Sequence, residues 1–276
     1  MKNKSLLSKL NRKFKYVKNA KKNQKKFLES SRYENAVPWD EIKKLFKSLQ
    51  TFNTEYDLIR LGSNFDGGYL VPNDLKGLEF SFSPGVSDEI GFDLEMSKIC
   101  KHCFLSDASV NKPSNLNVNM TFIKKFIGNK IDPNFIRFED WVSENAFDST
   151  DLLLQMDIEG AEYDILPTLP EMILKKFRII LIEFHDFDKV FNRDEFEKIK
   201  NSLKKLEKTH LPCHFHANNT VPFVSFEKSI ISPVFEMTYI RKDRVKSMLI
   251  NTNIPHPLDQ PNTNYLPNVQ VPNFWY

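Results

Sequence analysis

The segment LLLQMDIEGAEYDIL, residues 152–166, begins as a mainly apolar run and ends in a polar, acidic turn. A short apolar run of this length is typical of a buried strand. Three carboxylates, Asp157, Glu159 and Glu162, follow the run at once. The change from strand to acidic turn to helix-like pattern indicates an α/β fold, with the acids at the carboxyl end of a strand.

Six further runs of this kind flank the segment on both sides. They are Leu78 to Phe82, Cys103 to Ser106, Val118 to Phe122, Ile179 to Phe184, Cys213 to His216 and Phe235 to Ile240. Between two of them, residues Asp194 to Lys208 place apolar side chains at helical spacing, which predicts a crossover helix packed on a sheet. The sequence therefore predicts a doubly wound, Rossmann-like α/β fold with a seven-stranded sheet and helices on both faces.

Composition excludes several classes of protein. The chain has 276 residues, of which 41% are hydrophobic and 27% charged, so it is neither disordered nor fibrous. Its longest apolar runs are far shorter than the ~18 residues of a membrane span, and the N-terminus lacks a signal-peptide block. Three cysteines cannot build a disulfide framework. We expect a cytoplasmic protein without a transmembrane segment, in which Cys100 and Cys103 are core residues.

The N-terminal stretch differs from the rest in charge. Residues 1–28 hold eleven of the 39 basic residues and no acid, which leaves 28 basic against 36 acidic residues in the remainder. Apolar residues at helical spacing predict an amphipathic helix here, and a second helix is predicted over Trp39 to Leu49. A solvated helix, a contact in a homo-oligomer and weak contact with an anionic membrane surface all fit the pattern. Nucleic acid is disfavoured because the body is net acidic.

The C-terminal stretch, residues 251–276, contains five prolines and cannot be a regular helix or a central strand. We predict an extended tail that docks on the body or on another subunit, with buried aromatic residues stabilising the docking. These are Tyr265, Phe274, Trp275 and Tyr276. The predicted division is a basic helical extension (1–50), a catalytic domain (51–250) and an extended tail (251–276).

The first strand ends suggest a ligand site, since ligands of open α/β sheets collect at the carboxyl ends of the strands. The turn Ser83 to Asp88 contains Gly85, which lets a backbone approach a ligand closely, and Asp107 follows 22 residues later. That spacing is close to the ~20 residues at which an acid meets ribose hydroxyls. An adenosine-type ligand and an ordinary surface turn both remain open.

The later strand ends carry acids and histidines. Asp157 ends one run, His185 and Asp186 end the next, and polar residues of 214–219 end the one after. A histidine with an ordinary pKa of ~6.5 can act as a general base near neutral pH, so His185 is the candidate base. The oxygens of Asp157, Glu159 and Asp186 suit Mg²⁺ or Mn²⁺, and metal-free base catalysis fits equally well.

These segments resemble the FkbM-type methyltransferase family. The similar motifs are LLLQMDIEGAEYDIL (152–166), RIILIEFH (178–185), DGGYLVP (66–72), SPGVSDEIGFDLEMS (83–97) and HANN (216–219). The similarity covers roughly residues 58–240. It implies a class I methyltransferase fold with a final antiparallel strand, S-adenosylmethionine (SAM) as cofactor, and a sugar hydroxyl as the acceptor, which we expect to belong to a nucleotide-linked sugar.

With this resemblance the candidate residues fall into three groups. The expected catalytic residues are His185, Asp157 and Glu159. The expected cofactor-binding residues are Asp66, Gly67, Gly68, Gly85, Ser87, Asp107 and Asp157. The expected acceptor-binding residues are Asp186, His216, Asn218 and Asn219. The competing hypotheses are a nucleotide-sugar transferase or epimerase, and a non-enzymatic binding module.

Overall fold

The computed structural model describes residues 36–129, 132–226, 229–266 and 268–269. Its strands are β1 (Phe52–Thr54), β2 (Leu58–Gly62), β3 (Gly68–Pro72), β4 (Phe80–Pro84), β5 (His102–Ser106), β6 (Met120–Ile123), β7 (Phe126–Gly128), β8 (Phe135–Arg137), β9 (Leu152–Met156), β10 (Phe177–Phe184), β11 (His210–Ala217), β12 (Val224–Phe226), β13 (Ser229–Ile231), β14 (Phe235–Arg241) and β15 (Met248–Ile250). Its α-helices are α1 (Trp39–Phe46), α2 (Gly91–Ile99), α3 (Phe138–Asn145), α4 (Glu162–Ile165), α5 (Glu171–Leu174) and α6 (Arg193–Glu207).

A seven-stranded sheet in the order β11-β14-β10-β9-β4-β5-β6 forms the centre of the described chain. All seven strands correspond to the runs predicted from the sequence. The pairs among β10, β9, β4, β5 and β6 are parallel, whereas β14 is antiparallel to both β10 and β11. The predicted α/β fold of the class I methyltransferase type, with one antiparallel strand, is therefore confirmed.

Helices cover both faces of the sheet. On one face, α1 and α6 pack on a core that includes Phe82, Leu154 and Ile180. On the other face, α2 packs through Met96 on a core that includes Leu153. Successive residues of β9 thus enter opposite cores, which explains why its sequence is a nearly continuous apolar run.

The helices predicted on either side of the sheet are present. The segment predicted over Trp39 to Leu49 is α1 followed by a 3₁₀ turn, Lys47–Leu49. The crossover helix is α6, and the side chain of Asn192 caps it by accepting hydrogen bonds from the amides of Asp194 and Glu195. No helix in the described ranges is long and apolar enough to span a membrane. The predicted amphipathic helix within residues 1–28 lies outside the described residues.

The tail, from Asn251 onward, has neither helix nor strand in its described part. Polar side chains fasten it to the sheet. His214 Nε2 lies 2.9 Å from Asp259 Oδ1, and Asn219 Nδ2 donates to the carbonyl of Thr263 at 2.8 Å. Tyr265 is 88% exposed, so its side chain is not one of the buried aromatic side chains expected to stabilise the docking. The other three aromatic residues named for that role lie outside the described residues.

We expect the contribution of the tail contacts to stability to fall as the pH rises from about 6.5 to about 9. His216 Nδ1 lies 3.5 Å from Asp259 Oδ1. Burial lowers the pKa of His216, but Glu236 and Asp259 outweigh burial and raise this pKa to about 9. Because the pKa is raised on folding, the charge contributes fully below the unfolded value of about 6.5 and is lost as the pH passes about 9.

Urea unfolding of the wild-type protein and of Asp259→Asn measures this contribution. The difference in free energy of unfolding between the two proteins should shrink over that pH range. A difference that stays constant from about pH 6 to about pH 9.5 would show that the charge of His216 does not stabilise the tail.

Candidate active site

Four titratable side chains form a row across neighbouring strands at the carboxyl edge of the sheet. Glu183 of β10 is paired in register with Glu236 of β14, and Glu236 is paired with His216 of β11. Asp157 follows the last residue of β9, whose partner on β10 directly precedes Glu183. We call Asp157, Glu183, Glu236 and His216 the edge row. The antiparallel insertion of β14 completes the row, because it places the start of that strand beside the ends of the others.

Hydrogen bonds and raised pKa values reduce the free-energy cost of burying these acids. Asn218 Nδ2 donates to Glu183 Oε1 and Asn262 Nδ2 donates to Glu236 Oε1, both at 2.8 Å. Asp157 Oδ1 is buried without a hydrogen-bond partner, while 27% of the side chain stays exposed. Burial raises the pKa of Asp157 to about 7, and it also raises the pKa values of Glu183 and Glu236.

His185 lies within reach of four carboxylates. Its Nδ1 is 3.1 Å from Oε1 of the fully buried Glu162, and this same oxygen accepts the amide hydrogens of Ile158 and Gly160 at 3.2 and 3.3 Å. The separations from His185 Nε2 to carboxylate oxygens are 3.7 Å for Asp157, 3.8 Å for Glu183 and 3.9 Å for Glu159. The turn after β9 thus holds Glu162, and Glu162 orients the imidazole.

The pKa of His185 differs from the value expected from sequence. Burial lowers this pKa, but the hydrogen bond with Glu162 and the charges of Asp157, Glu162 and Glu183 outweigh burial and raise it well above the ordinary value. The expectation of an ordinary pKa near 6.5 is therefore wrong. A protonated imidazole cannot accept a further proton, so Asp157, with its pKa of about 7, is better matched to that task at neutral pH.

A cation could be held by a different set of residues from the one named on sequence grounds. Among the described residues, Asp157, Glu183 and His185 offer ligand atoms that all lie within 4.8 Å of one another. Glu159 and Asp186 are not in this group. The Glu159 side chain is 80% exposed, and Asp186 Oδ2 accepts a hydrogen bond from Lys189 Nζ at 2.7 Å.

The carboxyl ends of β4 and β5 also lie at this edge. Gly85 follows β4 with φ of +87°, and a Cβ atom there would lie 1.6 Å from the carbonyl oxygen of Asp157. The glycine is needed for a close approach of two backbone segments of this chain. Asp107 follows β5, is 9% exposed, and accepts the amide hydrogen of Ser109 at 2.6 Å through Oδ1.

The remaining residues expected to bind the cofactor lie in turns. Gly67, with φ of +79°, and Gly68 end the hairpin turn between β2 and β3, where a Cβ on Gly68 would lie 1.8 Å from the Ser63 carbonyl oxygen. Asp66 in this turn accepts a hydrogen bond from Asn262 Nδ2 at 3.3 Å. Ser87 is exposed, and its hydroxyl accepts the amide hydrogen of Glu89 at 3.1 Å.

The residues expected to bind the acceptor have three different placements. His216 belongs to the edge row, and Asn218 holds Glu183 in that row. Asn219 instead fastens the tail, and it also accepts the amide hydrogen of Thr263 at 3.0 Å. Asp186 adopts a left-handed conformation with φ of +56° before a 3₁₀ turn.

Sequence reasoning did not assign four residues that shape this edge: Glu183, Glu236, Tyr69 and Asn262. An acid inside an otherwise apolar run was the available signal for Glu183 and Glu236. The Tyr69 hydroxyl accepts a hydrogen bond from Gln155 at 3.3 Å, and burial together with nearby acids raises its pKa well above 10. Nothing in the sequence pattern pointed to Asn262.

Residues 81–209, which include the strand ends at Gly85, Asp107, Asp157 and His185, match the methyltransferase FkbM domain. The chain contains an FkbM-type methyltransferase domain. Methyltransferases of this type use SAM, so the protein is a SAM-dependent methyltransferase. A comparison with curated proteins gives no match.

Solved structures with a similar arrangement of elements share little sequence with this chain. Precorrin-6y C5,15-methyltransferase from Geobacter metallireducens is 11% identical over 75% of this chain and 93% of that one, with a TM-score of 0.34. A Streptococcus mutans protein described as a methyltransferase, SMU.1697c in complex with SAH, is 10% identical over 74% of this chain and 98% of that one, with a TM-score of 0.30.

The residues present suit SAM. Its sulfonium and ammonium groups are cationic, and the edge offers Asp157 with a buried oxygen that lacks a hydrogen-bond partner. Asp107 follows β5, the strand paired with β4, and offers a carboxylate for the ribose hydroxyls. Bound SAM supplies an electrophilic methyl group.

We expect Asp107→Ala to weaken SAM binding by about 1.5–3 kcal/mol, the cost of losing a charge-assisted hydrogen-bond pair. Asp107→Asn keeps an oxygen for the Ser109 amide, so it separates loss of the ribose contact from loss of the loop contact. Calorimetric titration with SAM measures both variants, with Asp148→Ala, an exposed residue in the loop before β9, as the control. Unchanged affinity in a folded Asp107→Ala protein would remove Asp107 from the cofactor site.

Proposed function

We propose that this FkbM-type methyltransferase methylates a hydroxyl oxygen of a sugar. The acceptor is a nucleotide-activated sugar in the cytoplasm, used for a capsule or another surface polysaccharide. The observation that carries the O-methylation proposal is the cluster of Asp157, Glu183 and His185 at the edge of the sheet. A hydroxyl is a weak nucleophile, and this cluster offers groups that can take its proton or hold a cation that acidifies it.

The proton and the methyl group have defined destinations in this proposal. The acceptor oxygen forms a bond to the methyl carbon while the bond from that carbon to sulfur breaks, and SAH remains. The hydroxyl proton passes to the carboxylate of Asp157, whose pKa of about 7 leaves a substantial ionised fraction near neutral pH. The charge of His185 beside Asp157 favours that ionised form.

A divalent cation is the second route to the same chemistry. Asp157, Glu183 and His185 would hold Mg²⁺ or Mn²⁺, and the cation would lower the pKa of a bound hydroxyl. Because the pKa values of all three residues are raised, binding of a cation must displace protons from them. Calorimetry with Mn²⁺ in buffers of different ionisation enthalpy would detect that release.

Methyl-labelled SAM incubated with a panel of nucleotide sugars, with the matching free sugars and with amine acceptors tests the proposal. We expect label on nucleotide sugars, less on free sugars and none on amines. Transfer to amines alone would contradict the proposal, and so would SAM binding without transfer to any sugar.

A further inference from the structure

Asn262 connects the tail to three parts of the edge. Its Nδ2 donates to Glu236 Oε1 at 2.8 Å and to Asp66 Oδ1 at 3.3 Å, and its Oδ1 lies 2.9 Å from His216 Nε2. Its main-chain carbonyl accepts the Asp66 amide hydrogen at 3.3 Å. The residue is 6% exposed. One amide thus contacts β14, β11 and the turn between β2 and β3.

These contacts fix the roles of the partners. An amide that turns its NH₂ toward two carboxylates presents its oxygen to the imidazole, so His216 Nε2 must donate. Glu236 is left with one oxygen that Asn262 does not bind, and carboxylate oxygens accept hydrogen bonds from hydroxyl groups. The arrangement is more specific than fastening a tail requires, because Asp259 and Asn219 already make that attachment.

We propose that Asn262 is a positioning residue of the methyl-acceptor site. It orients Glu236 to bind a hydroxyl group of the acceptor, and it holds charged His216 beside Glu236. The assignment of Glu236 to the acceptor rests on the proposed function, whereas the orientation of Glu236 and His216 by Asn262 does not. The tail beyond residue 250 then belongs to the active site, although it lies outside the part of the chain that matches the FkbM domain.

The charges around His216 predict opposite effects of two substitutions. His216 faces Glu236 on β14 and Asp259 in the tail, with His214 beside Asp259. Asp66 in the turn and Arg60 on β2 act on Glu236. Asn262→Leu removes a contact that stabilises charged His216, which lowers the pKa of His216. It also removes a contact that stabilises ionised Glu236, and less negative charge on Glu236 lowers the pKa of His216 further. Asn262→Asp places a negative charge beside the imidazole and raises it.

NMR titration of the imidazole signals tests this difference, with His216→Gln used to assign the signal among the six histidines. We expect the pKa of His216 to fall by about one unit in Asn262→Leu and to rise in Asn262→Asp. The control, Asn264→Leu, changes an exposed residue of the same tail and should leave it unchanged. A tail that merely detached would lower the pKa in both variants, so a shift in the same direction, or none, would overturn the proposal.

Kinetics with the best nucleotide sugar of the panel tests the acceptor role. Asn262→Leu should raise the KM for that sugar by about tenfold, and calorimetric titration with SAM measures any separate effect through Asp66. An unchanged KM would show that Asn262 orients groups the acceptor does not touch. If the wild-type protein methylates no sugar, the proposed function and the acceptor role both fail, while the NMR result still decides whether Asn262 orients His216.

Discussion

Replacing Asp157 with asparagine should lower the turnover of methyl transfer at saturating SAM by about 10²-fold or more. The substitution keeps the shape of the side chain but removes the group that accepts the hydroxyl proton or binds the cation. His185→Ala should have an effect of similar size, because the imidazole adjoins Asp157 and belongs to the same candidate cation group. Single-turnover kinetics with saturating SAM separates this chemical step from product release.

Asp164→Asn is the matched control for Asp157→Asn. Asp164 lies on α4, close in sequence, and its side chain is 62% exposed beside Lys198, so turnover should not change. Full activity of Asp157→Asn at saturating acceptor would show that the hydroxyl proton goes elsewhere.

A chelator distinguishes the two routes for that proton. If a cation binds Asp157, Glu183 and His185, chelation should abolish activity, and Mg²⁺ or Mn²⁺ should restore it. If Asp157 acts alone as base, a chelator should have no effect, and kcat should fall as the pH drops below about 7.

Gly85→Ala should cost about 4 kcal/mol or more in the free energy of unfolding, or prevent folding. The new Cβ would lie 1.6 Å from the Asp157 carbonyl oxygen, and φ of +87° is itself unfavourable for alanine. Because β4 and β9 are paired in the centre of the sheet, neither backbone can move away without breaking that pairing. Urea unfolding measures the effect.

Gly77→Ala is the control that isolates the clash. Its φ is +83°, close to that of Gly85, but the nearest atom to a new Cβ is a nitrogen of the Arg178 side chain at 3.8 Å. We expect it to cost only about 1–2 kcal/mol, the strain of positive φ. Equal losses in the two variants would show that Asp157 is not held against the Gly85 turn.

The strands could be predicted from sequence because apolar residues occupy most of their buried positions. β9 and β10 lie between two cores, so both faces must be apolar, and each run ends where the chain leaves the sheet. The length of α6 could be predicted for a similar reason, since Phe196 and Leu203 recur on its buried face. Local periodicity carries this information without knowledge of the partners.

Which residues form the site depends on contacts between segments that are distant in sequence, and hydrophobic periodicity gives no information about those contacts. Glu236 reaches Glu183 and His216 only because β14 inserts antiparallel between β10 and β11. Asn262 lies in a segment without regular secondary structure, so no periodic pattern in the sequence could indicate its position in the site. The ordinary pKa assumed for His185 failed because Glu162, which sets its orientation, is brought to it by the turn after β9.

Locating the transferred methyl group on the product tests the central claim most directly. Wild-type protein is incubated with ¹³C-methyl SAM and the best nucleotide sugar, and the product is examined by NMR for coupling from the methyl protons to a sugar ring carbon. We predict coupling through an ether oxygen to one ring carbon, and its absence from the Asp157→Asn reaction. A methyl group on nitrogen, or an equal yield of O-methyl sugar from Asp157→Asn, would contradict the assignment of this edge as the site of hydroxyl activation.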